Sequence, residues 1–234
     1  RSGFYLCLES GEVIENTRKL LTQFFNGKDP NRLCFSYNST DALNLIIFGI
    51  LKQGDHAITT TLEHNSVLRP LYHQNKFNGV EVDYVPFGTN GFIDPDEIKN
   101  KIKANTRLVI INHASNVIGT IQPLEAIGRI CRERGVTFAI DASQSAGKVP
   151  IDMEQLHVDV VAFTGHKSLL GPTGIGGLYV REGIEIRHTR AGGTGVRSAH
   201  RMHLDEYPYR LEYGTGNVVG IAGLHAGLKW IKEK

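Results

Sequence analysis

The chain has 234 residues, enough for one large domain with a substantial core or at a stretch two small ones. Its 26 basic and 24 acidic residues leave a net charge of +2, with no long run of one sign, which excludes the electrostatic footprint of a nucleic-acid binder. No apolar stretch reaches the length of a membrane span, and the amino terminus has no secretory pattern.

In chain order, 9–27 (ESGEVIENTRKLLTQFFNG) places Val13, Thr17, Leu20, Leu21, Phe24 and Phe25 at helical spacing, with Gly27 as a stop. Short apolar runs then alternate with helical patterns. RLCFSY (32–37) reads as a strand, and 39–54 as a helix opened by Ser39 or Thr40 and closed near Gly54. HAITTT (56–61) is a strand, followed by a helix from about Ser66 to Phe77. VEVDYVPF (80–87) is a strand, DPDEIKNKI (94–102) a helix with proline in its first turn, and RLVIINHA (107–114) a strand. PLEAIGRICRERG (123–135) is a helix ending at glycine. VTFAID (136–141), VDVVAFTG (158–165) and GIGGLYVRE (174–182) are the remaining strands, and GLHAGLKWIKEK (223–234) looks like an unfinished helix. This alternation predicts an α/β fold whose mainly parallel sheet is covered on both faces.

Ligands of such folds gather at the carboxyl ends of the strands. Five apolar strands run into polar groups there: Asn38-Ser39-Thr40, Glu63-His64-Asn65, Ser115-Asn116, Asp141-Ala142-Ser143-Gln144 and Thr164-Gly165-His166-Lys167. Together they predict one polar site on one rim of the sheet. Asp141 and Lys167 are the informative pair. A lysine amine forms a Schiff base with an aldehyde cofactor, and pyridoxal phosphate also needs a carboxylate beside its ring nitrogen. The amino terminus of the helix in NSTDALN offers N–H groups to a phosphate, and Thr164 and His166 two further donors. Asn116 and Gln144 are both candidates for the phenolic oxygen, and His64 for stacking on the ring.

Each residue also has a plainer reading. Asp141 could cap a turn, Ser39 and Thr40 a helix, and Lys167 could reach water on its flexible stem. His64 and Asn116 could serve their loops, and Gln144 the surface. The joint arrangement favours the cofactor. GPTGIGG (171–177) is a poor nucleotide loop, because Lys167 precedes the glycines rather than following them. HRMH (200–203) offers two imidazoles without a further ligand pattern, so no metal site is expected. The widely spaced Cys7, Cys34 and Cys131 contain no CxxC pair and read as thiols of a reducing compartment, the cytoplasm.

EHNSVLRP (63–70), HASNVIGTIQPL (113–124), DASQSAGKVPID (141–152) and above all FTGHKSLLGPTGIGGLYV (163–180) resemble the class V aminotransferases, and within them the cysteine desulfurases and selenocysteine lyases. The resemblance implies a fold type I pyridoxal-phosphate enzyme with a three-layer α/β/α large domain. Residues 1–234 would form most of that domain, with a small carboxy-terminal domain and an amino-terminal segment lying outside them. It implies that Lys167 carries the cofactor, that His64 stacks on the ring and moves protons, and that Asp141 holds the ring nitrogen. Gln144 would hold the phenolic oxygen, with Asn116 near that oxygen and the substrate carboxylate. Thr40, Thr164 and His166 would bind the phosphate, with Ser39 close by.

LEYGTGN (211–217) resembles a family stretch in which threonine reaches the phosphate of the neighbouring subunit. This casts Thr215 as a residue acting across a homodimer, although Gly216 stands where the family usually has proline. The expected reaction converts L-cysteine to L-alanine, with a sulfur-acceptor protein as a further partner. L-selenocysteine lysis, amino transfer and an inactive scaffold are the alternatives. None of the three cysteines aligns with the family's sulfur-accepting one, which is expected to lie outside this chain.

Overall fold

A computed structural model of the chain describes residues 4–234. Among the described residues seven strands form one sheet in the order β1-β7-β6-β5-β4-β2-β3. They are β1 (Leu33–Ser36), β2 (His56–Thr60), β3 (Glu81–Val85), β4 (Thr106–Asn112), β5 (Thr137–Asp141), β6 (Val160–Thr164) and β7 (Gly176–Val180). The block from β6 through β3 is parallel, and β7 runs antiparallel to both of its neighbours. The mainly parallel sheet expected from the alternation is therefore present, with one reversed strand inside it.

Among the described residues six α-helices cover the sheet: α1 (Tyr5–Phe24), α2 (Ser39–Ile50), α3 (Asn65–Asn78), α4 (Pro95–Lys101), α5 (Leu124–Glu133) and α6 (Val218–Lys232). Two separate apolar clusters show the layering. One joins Leu21 of α1, Ile98 of α4, Ile127 of α5 and Leu224 of α6 to Phe138 and Phe163 of the sheet. The other joins Leu43 and Ile46 of α2 and Leu71 of α3 to the opposite face, through Leu108, Ala139 and Leu178. β5 and β6 are buried along nearly their whole length because both of their faces are covered, which explains their unbroken apolar runs.

Several helix boundaries differ from the sequence reading, those of α1 and α2 most clearly, and α6 starts at Val218 rather than at 223. α2 is opened by Asn38, whose extended backbone lets its Oδ1 accept from the Asp41 amide at 3.0 Å. Ser39 and Thr40 are thus the first helical residues, and α2 ends at Ile50 rather than near Gly54. α1 starts at Tyr5, earlier than its apolar spacing indicated, and closes at Phe24, before Gly27.

α1 also carries Arg18 on its buried face. The guanidinium meets Glu212 at 2.8 and 3.2 Å and the Leu33 carbonyl, while Glu212 also accepts the Phe35 amide at 2.8 Å. Helix, sheet edge and the 209–217 loop are tied at this point. Arg18→Ala leaves the Glu212 carboxylate without its cation and a hole in the packing. The expected loss is about 2–3 kcal/mol, discounted for the partial exposure of Glu212 and read as a lower denaturant midpoint.

Candidate active site

The carboxyl ends of β1, β6, β5, β4 and β2 lie along one edge of the sheet. Ser36, Gly176 and Thr164 stand abreast across three strands, as do Ala162, Asp141 and Asn112. Strands are spaced about 4.8 Å apart, so each row spans roughly 10 Å, the scale of a small-molecule cofactor. Residues paired across neighbouring strands share a face, which puts Asp141 beside Asn112.

Asp141 ends β5 and is buried. Its Oδ1 accepts from the Ser143 amide at 2.9 Å and from the Ser143 hydroxyl, while Oδ2 takes no hydrogen bond among the described residues. That leaves a fixed carboxylate with one oxygen available to a donor.

Lys167 lies in the turn that links β6 to β7 without a helix. Gly165 N–H donates to the Ile175 carbonyl at 2.9 Å, Gly171 N–H to Gly165 at 2.8 Å and Leu170 N–H to Lys167 at 3.0 Å. Leu169 is fully buried and pins the turn to the core, while Lys167 is half-buried.

The Asp141 and Lys167 loops are joined through Gly147. It has φ +95°, and a Cβ there would fall 2.2 Å from the Ser168 carbonyl oxygen. Only glycine permits that approach. Gly147→Ala is therefore expected to push the lysine turn outward and to destabilise the fold by at least about 2 kcal/mol. Thermal unfolding and a titration with pyridoxal phosphate should both register the change.

At the other end of the row, α2 begins beside Thr164. A Cβ on Gly176 would lie 2.7 Å from the Asn38 Cα, so the close seating of that helix start depends on glycine. Ser39 is buried and Thr40 exposed. Their amides head the helix, and neither hydroxyl is spent on capping. Asp41 would oppose an anion here, but it is ion-paired with Arg190. Thr164 Oγ1 meets His166 Nδ1 at 3.0 Å, with His166 itself exposed. A helix start, hydroxyls and an imidazole make a phosphate-type grip.

His64 is the N-cap of α3. Its Nδ1 accepts the Ser66 amide at 3.1 Å and lies 2.8 Å from the Ser66 hydroxyl. Because Nδ1 is an acceptor, the neutral ring carries its proton on Nε2. Asn116 lies on an exposed turn closed by the Ala114–Ile121 bridge, and Gln144 is half-buried after β5. Among the described residues neither amide is committed to another side chain. Thr215 is exposed and lines a cavity with Tyr37, Asp41, Gly174 and Asn217. Its loop is held by Glu212 and by the Asn217 amide, which donates to the Gly174 carbonyl at 3.0 Å.

The sequence reading did not assign roles to Ser143, Arg190, Asn112 or Glu63. Ser143 lies within the motif at Asp141, and Glu63 beside His64, so a signal was present for both. For Asn112 and Arg190 the contacts come from distant segments. Taken together, the donor set fits pyridoxal phosphate: a primary amine, a buried carboxylate with a spare oxygen, and an anion grip at the far end of the row. Among the described residues no group of His, Cys, Asp or Glu is arranged to hold a metal ion. No helix is long and apolar enough to cross a membrane.

A sequence model described as aminotransferase class V matches residues 1–234. The chain belongs to the class V aminotransferase family. Among curated class V relatives it is 35% identical over 229 residues to a probable cysteine desulfurase of Pyrococcus abyssi, covering 95% of this chain and 57% of the relative. It is 40% identical over 227 residues to the cysteine desulfurase IscS of Plasmodium falciparum, covering 92% and 40%. Among solved structures, the apo cysteine desulfurase of Thermococcus onnurineus superposes with a TM-score of 0.90 at 34% identity, over 100% of this chain and 60% of that one. A C-DES mutant with glycine covalently linked to its PLP cofactor superposes at 0.89 and 28%, over 99% and 63%. The chain thus spans about half the length of its curated relatives, and the three-layer fold expected for the class V large domain is the one observed.

Proposed function

We propose that residues 1–234 form the cofactor-binding large domain of a pyridoxal-phosphate-dependent cysteine desulfurase. The observation that carries this reading is the junction at Gly147 and Ser168, which locks the Asp141 and Lys167 loops together at one edge of the sheet. Identities of 33–40% to proteins named cysteine desulfurases support the same activity, as does a neighbour, SspA, solved in complex with cysteine.

Pyridoxal phosphate supplies an aldehyde and an electron-accepting ring. Lys167 Nζ would hold the cofactor's aldehyde and, when free, would be the base for the substrate Cα proton. Asp141 Oδ2 would accept from the ring nitrogen. Gln144 and Asn116 would donate to the phenolic oxygen, and His64 would stack on the ring. Ser39, Thr40, Thr164 and His166 would bind the phosphate, and Thr215 would serve the site of the second subunit in a homodimer.

The net reaction is L-cysteine plus a protein thiol giving L-alanine plus a protein persulfide. Cys34 and Cys131 are poor acceptors, because burial pushes both thiols up, and Cys7, on α1, does not align with the family's sulfur-accepting cysteine. We assign the accepting cysteine to sequence beyond these residues. Onward transfer would be to a sulfur-acceptor protein in a reducing compartment, the cytoplasm. The test supplies L-cysteine, a thiol reductant and pyridoxal phosphate to a protein spanning the relatives' full length. Alanine and sulfide in equal amounts are expected. Pyruvate in place of alanine would overturn the reading in favour of β-elimination, and release of selenide from selenocysteine alone in favour of a lyase.

A further inference from the structure

We propose that Glu63 holds a proton beneath the site and so leaves Asp141 as the lone anion at its floor. The two oxygens of this buried carboxyl are provided for unequally. Glu63 Oε1 accepts from the Thr60 hydroxyl at 2.7 Å and from the Asn112 amide at 2.9 Å. Oε2 is buried with no partner among the described residues, and so is Asn112 Oδ1. The Asn112 amide nitrogen is already committed to Glu63 and to the Leu62 carbonyl at 3.2 Å, and the Thr60 hydroxyl also accepts from the Leu62 amide at 3.1 Å. An ionised carboxylate needs donors at both oxygens when water is excluded. A neutral acid accepts at its carbonyl oxygen, here Oε1, and leaves on Oε2 an uncharged O–H, which costs far less to bury without a partner than a carboxylate oxygen does.

Asp141 stands directly beside Asn112 in the sheet and also has two donors on one oxygen, the Ser143 amide and hydroxyl on Oδ1, but its Oδ2 is not sealed away from the site as Glu63 Oε2 is. Of two neighbouring acids, the one whose unpartnered oxygen is shut off from water is driven to keep its proton. Burial pushes the Glu63 carboxyl up to about 8, against hydrogen bonds from Thr60 and Asn112, and the nearby Asp141 charge adds to the rise. Among the described residues no cation offsets this. His113, just past β4, is pushed down to about 4 by burial, and the His64 ring is engaged with Ser66. Glu63 is therefore a positioning residue, acting on the ring-nitrogen partner rather than on the substrate. The role of Asp141 towards the ring rests on the reading above, whereas the location of the proton does not.

The sign of the pH effect is definite. An unfolded chain loses the Glu63 proton near its ordinary value of 4.5, and the folded chain near 8. Between these values the folded state binds the extra proton, so this group makes stability fall as pH rises, and the fall ends above about 8. His56, His113 and His225, all pushed down by burial, contribute with the opposite sign up to and somewhat past pH 6.5, so Glu63 is isolated by comparing wild type with a Glu63 variant.

The experiment uses the purified protein, with and without pyridoxal phosphate, and the variant Glu63→Gln, which mimics the neutral acid. Infrared spectra of the cofactor-free protein at pH 6.5 should show a protonated-carboxyl carbonyl band that fades as pH passes 8 and is missing in Glu63→Gln. The melting temperature of the variant relative to wild type should climb by roughly 3–7 °C from pH 6.5 to 8. A band unchanged in the variant, or parallel melting profiles, would overturn the proposal. A wild-type spectrum with no such band at pH 6.5 would overturn it without any variant. Since the band is read without cofactor, its fate is separable from failure of the desulfurase reading.

Discussion

Lys167→Ala protein mixed with pyridoxal phosphate is expected to lack the visible absorption band of the lysine-bound cofactor, which wild type should show. The full-length variant should lose desulfurase turnover by roughly 10³-fold or more, since it lacks both the nucleophile and the base. The interpretation is clean because the turn does not depend on this side chain. Gly165, Leu170 and Gly171 hold it through backbone bonds, and Leu169 anchors it in the core. Melting temperature should move little, so a missing band reports chemistry rather than unfolding. A band of wild-type intensity in the variant would place the imine on another amine and dismantle the site described here.

Asp141→Asn should weaken cofactor binding by about 2–5 kcal/mol, or about 30-fold to several-thousand-fold, and slow turnover further. Ser143 presents two donors to Oδ1. In the variant the amide carbonyl would have to face Ser143, turning the amide nitrogen, a donor, towards the position of the ring N–H. Two donors cannot bond each other, so a ring held there must give up its proton and with it much of its electron-accepting strength. Fluorescence titration of the cofactor and a single-turnover assay separate the two losses. Equal affinity in wild type and variant would show that Oδ2 does not serve the ring.

Much of this was legible beforehand. The apolar runs of β2, β4, β5 and β6 are continuous because both faces are covered, and the groups that follow them, from His64 to Lys167, were readable as a single rim. The reversal of β7 was not legible, because an apolar strand has the same pattern in either direction. Arg18 carries a charge onto the buried face of its helix, and its reason lies 194 residues away at Glu212. Glu63 sits in plain view beside His64, yet its environment is made by Asn112, 49 residues on. Local pattern gives the stage, and non-local partners decide which acid keeps its proton.

The reversed strand has a mechanical consequence. Because the chain enters β7 straight from β6, the reactive amine sits on a short U-turn whose two stems are zipped to each other and to β5 and β1 on their outer sides. Neither stem can slide without breaking a ladder. Whatever travel the nitrogen needs between holding a ligand and releasing it must come from the rotations of its own four-carbon arm, with the backbone serving as an immobile anchor.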